Sequence, residues 1–201
     1  MDKVTNILIV GVGGQGTLLT SRILAQVAVQ LGYDVKVSEV HGMAQRGGSV
    51  VSQVRFGPRV YSPIIARGEA DIILAFEKLE AARWLDYLKP DGLVIINEER
   101  VDPLPVMTGK VKYPEDITDK IEQKVKDTIV ANASEIALDC GNIRAANVVL
   151  VGILAAAMDL PQDEFRSAIE TMVPARFLDV NLQAFQQGLE LGGSLRPAQQ
   201  A

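Results

Sequence analysis

Two glycine clusters carry most of the chemistry open to this 201-residue sequence. The first is the run GVGGQG, in which Gly11, Gly13 and Gly16 match the G-x-G-x-x-G spacing. A first glycine permits a tight turn out of a strand, a second lets a phosphate approach the backbone, and a third lets the following helix pack closely. Gly14, Gln15, Gly16 and Thr17 then stand where a helix begins, and unpaired N–H groups with the helix dipole favour an anion there. The same glycines also serve a purely structural strand-to-helix turn. Glu39 lies 23 residues after Gly16 (39 − 16), where an NAD-binding unit keeps its ribose-binding acid.

The second cluster runs from His41 through Gln45 and Arg46 to Gly47 and Gly48. An arginine beside paired glycines can offer a guanidinium and backbone amides to one phosphate or carboxylate. It can equally pair with Glu39 and only order the loop. His41 is the only histidine, so no histidine-based metal site or Ser-His-Asp triad forms without it. No nucleophile sits in a motif that would make it a base, and a hydrogen-bonded structural histidine is the other reading. The single cysteine, Cys140, excludes an intramolecular disulfide and a thiolate set for an iron–sulfur cluster or zinc site within this chain.

The elements that position these residues follow from hydrophobic patterning. Residues 6–10 read as a buried strand, residues 17–31 as a helix stopped by Gly32, and residues 34–40 as a second strand. Residues 40–49 break the pattern as a polar loop. The alternating run 50–56, the turn at Gly57-Pro58 and Val60-Tyr61 then read as a hairpin-like excursion. Strands are expected at 71–76, 92–97 and 128–132, with a turn at 89–92 and helices at 77–87 and 115–126. Prolines 103, 105 and 114 mark an irregular connection between them. From Ser134 onward the chain reads as mostly helical, with helices at 142–158, 162–172 and 181–191. In the first of these, Asn142 is a helix cap, and the small residues around Gly152 suit tight internal packing or a subunit interface.

The predicted fold is α/β and Rossmann-like: a mostly parallel sheet flanked by helices, with a hairpin excursion and a helical C-terminal part, in one domain over residues 1–201. Hydrophobic residues at 48% with aromatics at only 5% fit strands buried on both faces in Val, Ile, Leu and Ala. A net charge of −5 argues against nucleic-acid binding, which requires a basic surface, and gives no attraction to anionic membranes. The polar start carries no signal peptide, and the apolar stretch 145–158 is too short to span a bilayer, so a cytoplasmic protein without a membrane role is expected.

Taken together, GVGGQG after the first strand, EVHGMAQRGGS at 39–49, YSP at 61–63, GEAD at 68–71 and GNIRAAN at 141–147 resemble the beta subunits of indolepyruvate:ferredoxin oxidoreductases. These belong to the gamma-type domain group of 2-oxoacid:ferredoxin oxidoreductases, and the resemblance spans about residues 5–190. It implies that an aryl 2-oxoacid such as indolepyruvate is oxidatively decarboxylated to an acyl-CoA while ferredoxin is reduced. It implies, further, that thiamine diphosphate and iron–sulfur clusters sit on a larger alpha subunit, so this chain is inactive alone. Coenzyme A is the one cofactor with a possible contact here, at Gly11, Gly13, Gly14, Gln15, Gly16, Thr17, His41, Arg46, Gly47 and Gly48. No catalytic residue and no metal ligand is expected in this chain. The two alternatives are a non-catalytic assembly module of such a complex and a stand-alone NAD(P)-binding protein.

Overall fold

Residues 7–10 explain the architecture in miniature. Ile7, Leu8, Ile9 and Val10 are all fully buried, although successive side chains on a strand point to opposite faces. Both faces of the sheet must therefore be covered. The computed structural model describes residues 3–41 and 48–195. The strands are β1 (Thr5–Val12), β2 (Asp34–His41), β3 (Ser49–Gly57), β4 (Ala70–Ala75), β5 (Leu88–Asn97) and β6 (Thr128–Ala131). They form a six-stranded sheet in the order β2-β3-β1-β4-β5-β6.

The helices are α1 (Thr17–Gln30), α2 (Lys78–Trp84), α3 (Leu104–Met107), α4 (Ile117–Lys124), α5 (Ala133–Asp139), α6 (Ala146–Ala157), α7 (Gln162–Met172) and α8 (Leu178–Leu195). Ile7 and Ile9 pack on one face with Ile23 and Val27 of α1, Leu150 of α6, Phe165 of α7 and Phe185 of α8. Leu8 and Val10 pack on the other with Ala81 of α2 and with Ile117 and Ile121 of α4. The second face also holds Tyr113, from the connection after α3.

β1, β4, β5 and β6 are parallel neighbours. β3 runs antiparallel to both β1 and β2, so it alone is reversed. The mostly parallel sheet expected from sequence is present, but the excursion differs from its reading. Residues 49–57 do not pair back on Val60 and Tyr61; they form a central strand wedged between β1 and β2. The reason is apolar demand: Val50, Val51, Val54 and Phe56 are all at most 5% exposed, which a two-stranded ribbon cannot provide. The first unit is therefore not a simple β–α–β pair, because β2 lies one strand beyond β1.

Other boundaries shift for local reasons. The turn expected at 89–92 is absorbed into β5, with a break in register between Ala70 and Ile72 of its neighbour. Helix 77–87 ends its α-helical part at Trp84 and tightens into a 3-10 turn at Leu85–Tyr87. Helix 115–126 shortens to α4. A 3-10 turn at Ile143–Ala145 precedes α6, and Asn142 caps that turn by accepting from the Arg144 amide at 3.0 Å. The last helix is longer than 181–191, spanning 18 residues.

α6 and α8 cross at near backbone contact. A methyl group at Gly152 would sit 2.3 Å from the Phe185 carbonyl oxygen, and one at Gly188 would sit 2.1 Å from that of Val149. The small residues of α6 therefore serve internal packing in this chain. No helix among the described residues is long and apolar enough to cross a membrane.

Candidate functional site: a cleft at the carboxyl edge of the sheet

The GVGGQG turn leaves β1 at Val12 and enters α1 at Thr17. Gly14 and Gly16 adopt φ of 104° and 92°, in the left-handed region that a side chain disfavours. Gly11 is required for space instead: a Cβ there would lie 2.9 Å from the Gln15 Oε1 and 2.9 Å from the Phe76 Cβ. Gln15 fills that space as a staple. Its Oε1 accepts from the Val12 amide at 2.7 Å, and its Nε2 donates to the Phe76 carbonyl at 3.1 Å. One side chain thus ties the exit of β1 to the exit of β4.

Asn97, the last residue of β5, continues the network. Its Nδ2 donates to the same Phe76 carbonyl at 3.3 Å and to Glu99 at 3.0 Å, and its Oδ1 accepts from the Ala133 amide at 2.9 Å. Ser134 also donates to Glu99, at 2.8 Å. These bonds make the floor and one wall of a cleft of about 540 Å³ lined by Gly14, Gln15, Gly16, Phe76, Asn97, Glu99, Ser134, Ile143, Arg144 and Ala146. The cleft lies outside the carboxyl ends of β1, β4 and β5. That is where chain connections diverge to the two sides of β1, the switch point at which open α/β sheets bind ligands.

Beside Phe76, the opposite face carries a buried polar cluster. Glu77, 1% exposed, caps α2 by accepting from the Glu80 amide at 3.0 Å. It also accepts from the Tyr113 hydroxyl and from the Val101 amide. Burial, first, and the Glu77 carboxylate, second, push the Tyr113 phenol well above its ordinary range. The Arg100 guanidinium lies over that ring at 4.4 Å. Burial likewise raises the Cys140 thiol, helped by the Asp139 charge, which favours its protonated form.

The sequence-predicted residues separate into three groups. Gly14, Gln15 and Gly16 line the cleft, and Thr17 is buried just behind them. Gly11 is buried under Gln15, while Gly13 donates its amide to the Gly48 carbonyl at 2.9 Å, joining the two glycine clusters. His41 is exposed at the end of β2; it and Gly11 flank Val50 on opposite sides, which separates them by two strand spacings, roughly 10 Å. Arg46 and Gly47, with Gln45 between His41 and Arg46, lie outside the described residues. Glu39 accepts from the Ser21 hydroxyl of α1 at 2.7 Å, and β3 stands between its strand and β1. An acid that binds the ribose of a dinucleotide has to reach across the β1 turn, and Glu39 is held one strand too far away.

Phe76, Asn97, Glu99 and Ser134 are site residues that sequence reasoning misses. Asn97 carries a signal, since it ends a buried apolar strand, but nothing local reveals that three strand ends converge.

Comparison with known proteins gives this geometry its relatives. Residues 6–191 match the pyruvate ferredoxin/flavodoxin oxidoreductase family. The chain is 40% identical over 193 residues to the indolepyruvate oxidoreductase subunit IorB of Thermococcus kodakarensis, covering 94% of this chain and 96% of that one. It is 41% identical to the IorB subunit of Archaeoglobus fulgidus over 197 residues, covering 96% and 98% of the two chains. Identity falls to 26% with the pyruvate/ketoisovalerate oxidoreductases common subunit gamma of Pyrococcus abyssi, over 90% and 92% of the two chains. The fold is shared with the keto/oxoacid ferredoxin oxidoreductase gamma subunit of Geobacter sulfurreducens, at TM-score 0.69 and 24% identity over 94% and 98% of the chains. It also recurs in about a third (32%) of the longer 2-oxoglutarate:ferredoxin oxidoreductase chain of Magnetococcus marinus, at TM-score 0.75 and 20% identity over 98% of this chain. The chain, an oxidoreductase-complex subunit by descent, belongs to the pyruvate ferredoxin/flavodoxin oxidoreductase family.

Proposed function

We propose that this chain is the beta subunit of an indolepyruvate:ferredoxin oxidoreductase, taking part in oxidative decarboxylation of aryl 2-oxoacids to aryl-acyl-CoA with reduction of ferredoxin. The carrying observation is the identity of about 40% to IorB subunits across nearly the full length of both chains, against 26% for a pyruvate/ketoisovalerate gamma subunit. The whole sequence acts as one domain. It works in the cytoplasm beside a larger alpha subunit that holds thiamine diphosphate and iron–sulfur clusters, which supply carbanion stabilisation and one-electron transfer. A chain with one cysteine cannot ligate such a cluster, so it is inactive alone.

In the assembled enzyme the carboxyl-edge cleft and the loop that follows His41 face the alpha subunit and wall the approach of coenzyme A. The turn from Gly11 to Thr17, with His41, Arg46, Gly47 and Gly48, forms that wall, and Arg46 is its anion contact. The Magnetococcus enzyme has coenzyme A bound in its structure, which supports the direction of this reading. The stand-alone NAD(P) alternative is disfavoured by the position of β3 and of Glu39.

The test is co-expression with a candidate alpha subunit, followed by CoA-dependent reduction of a viologen dye by indolepyruvate. Activity that requires both chains supports the proposal. Activity indifferent to this chain, or the absence of any complex, overturns it.

A further inference from the structure

A charged side chain is costly to bury, and a buried ion pair is often no more stable than a well-packed apolar residue in its place. Glu80, in the first turn of α2, is nevertheless only 3% exposed. It does not cap its helix, since Glu77 supplies the cap by accepting from the Glu80 amide. Its two carboxylate oxygens are directed elsewhere. Oε1 accepts from the Arg83 guanidinium at 2.8 Å, a partner whose own side chain is 46% exposed. Oε2 accepts from the Ser49 hydroxyl, 31 residues away in sequence.

Ser49 is the first residue of β3 and follows Gly48 directly, so it stands where the second glycine cluster enters the sheet. It pairs with Val12 at the last step of the β1–β3 ladder, and one step beyond it the Gly13 amide reaches the Gly48 carbonyl. The end of a ladder is where strands open first, so the register of the two clusters depends on what fixes Ser49. Just ahead of α2, the Phe76 carbonyl is held by Gln15 of the first cluster. The stretch from Phe76 to Glu80 therefore grips both clusters, the first through a backbone carbonyl and the second through a buried carboxylate.

We propose that Glu80 is a positioning residue: acting through Ser49, it holds the end of the second glycine cluster in register with the first, and so sets the wall past which coenzyme A approaches. The reason for an acid at this place is direction. A leucine would fill the space, but it cannot accept a hydrogen bond from one chosen hydroxyl. The role rests on the reading of that wall given above, and Arg46→Ala, run in the same assay, separates the failure of one from the failure of the other.

The experiment pairs Ser49→Ala with Ser49→Thr, which keeps the hydroxyl on a residue suited to a strand, and adds Glu80→Leu. In the full chain, hydrogen exchange of the Gly13 amide is expected to quicken at least about tenfold in Ser49→Ala, which loses one hydrogen bond to a charged acceptor. Ser49→Thr is expected to restore the wild-type rate. In the assembled enzyme, Ser49→Ala and Glu80→Leu are each expected to raise the KM for coenzyme A about three- to tenfold, with kcat within about twofold. Ser49→Thr is expected to keep the wild-type KM. Glu80→Leu is expected to melt close to the wild type, so that its raised KM does not come from lost stability. A wild-type exchange rate at Gly13 in Ser49→Ala, or a Ser49→Thr as impaired as Ser49→Ala, overturns the role. An unchanged KM in Ser49→Ala beside a raised one in Arg46→Ala overturns it and leaves the coenzyme wall standing. Unchanged values in every variant overturn both. Should Glu80→Leu fail to fold, the two Ser49 variants still decide it.

Discussion

The Gly13 amide donates to the Gly48 carbonyl at 2.9 Å, so the two glycine clusters meet as neighbours at one sheet edge. The bond extends the β1–β3 ladder by one step beyond the pair Val12 and Ser49. It places the end of the polar loop, where the chain enters β3, against the turn that opens the cleft. Gly13 of the first cluster and Gly48 of the second are thus direct neighbours.

Gln15→Ala removes both bonds of the staple and leaves space beside Gly11. A loss of about 2 kcal/mol is expected, with about 1 kcal/mol for each hydrogen bond. Urea unfolding followed by circular dichroism checks it. Gln15→Glu keeps the acceptor for Val12 but loses the donor to Phe76, so it should also destabilise the chain. A wild-type midpoint in Gln15→Ala would show the staple to be dispensable.

Three glycines of the C-terminal helices should respond in opposite senses to alanine. Gly152→Ala and Gly188→Ala drive a methyl group into backbone oxygen and are expected to cost about 3 kcal/mol or more. Gly193→Ala meets nothing within 4 Å in the last turns of α8 and should gain up to about 1 kcal/mol from helix propensity. Thermal melts of the three variants give the comparison directly.

Tyr113 ties stability to alkaline pH. Its folded-state phenol is raised above the ordinary value of 10.0 by burial and by Glu77. The protonated phenol therefore favours the folded state, and that contribution is complete below pH 10 and is lost as pH rises above it. Denaturant midpoints should fall from about pH 10 upward in the wild type, and less steeply in Tyr113→Phe. At neutral pH Tyr113→Phe should lose about 1–3 kcal/mol, because it withdraws a donor from the buried Glu77 carboxylate.

Arg46→Ala, assayed in the assembled enzyme, should raise the KM for coenzyme A with less effect on kcat, as expected when a ground-state anion contact is removed. Unchanged Michaelis constants for coenzyme A and the oxoacid, with unchanged turnover, would remove Arg46 from the coenzyme wall.

Much of this is legible in the residue order. Apolar runs such as ILIV at 7–10 and LVII at 93–96 locate central strands, because buried parallel strands need apolar residues on both faces. Gly32, with φ of 80°, stops α1 where a glycine is expected to end a helix. The period-two run at 50–56 correctly announces a strand. Its partners cannot be read, since pairing with both β1 and β2 is a long-range choice that local periodicity does not encode. α5 starts on a local cap, Asn132, whose side chain accepts from the Glu135 amide at 3.2 Å, whereas the bond from the Ala133 amide to Asn97 Oδ1 that ties it to the end of β5 is long-range and cannot be read locally.

The amino-acid sequence by itself determined the element types, the glycine turn and, through its long matching motifs, the family. Tertiary structure alone decided which amides of that turn are already engaged. Whether a backbone amide is free depends on what else reaches it, and here the Gln15 side chain and the Gly48 carbonyl, 35 residues beyond Gly13 (48 − 13), occupy the amides of Val12 and Gly13. Spacing in the chain specifies which donors exist, but only packing determines which of them remain unspent.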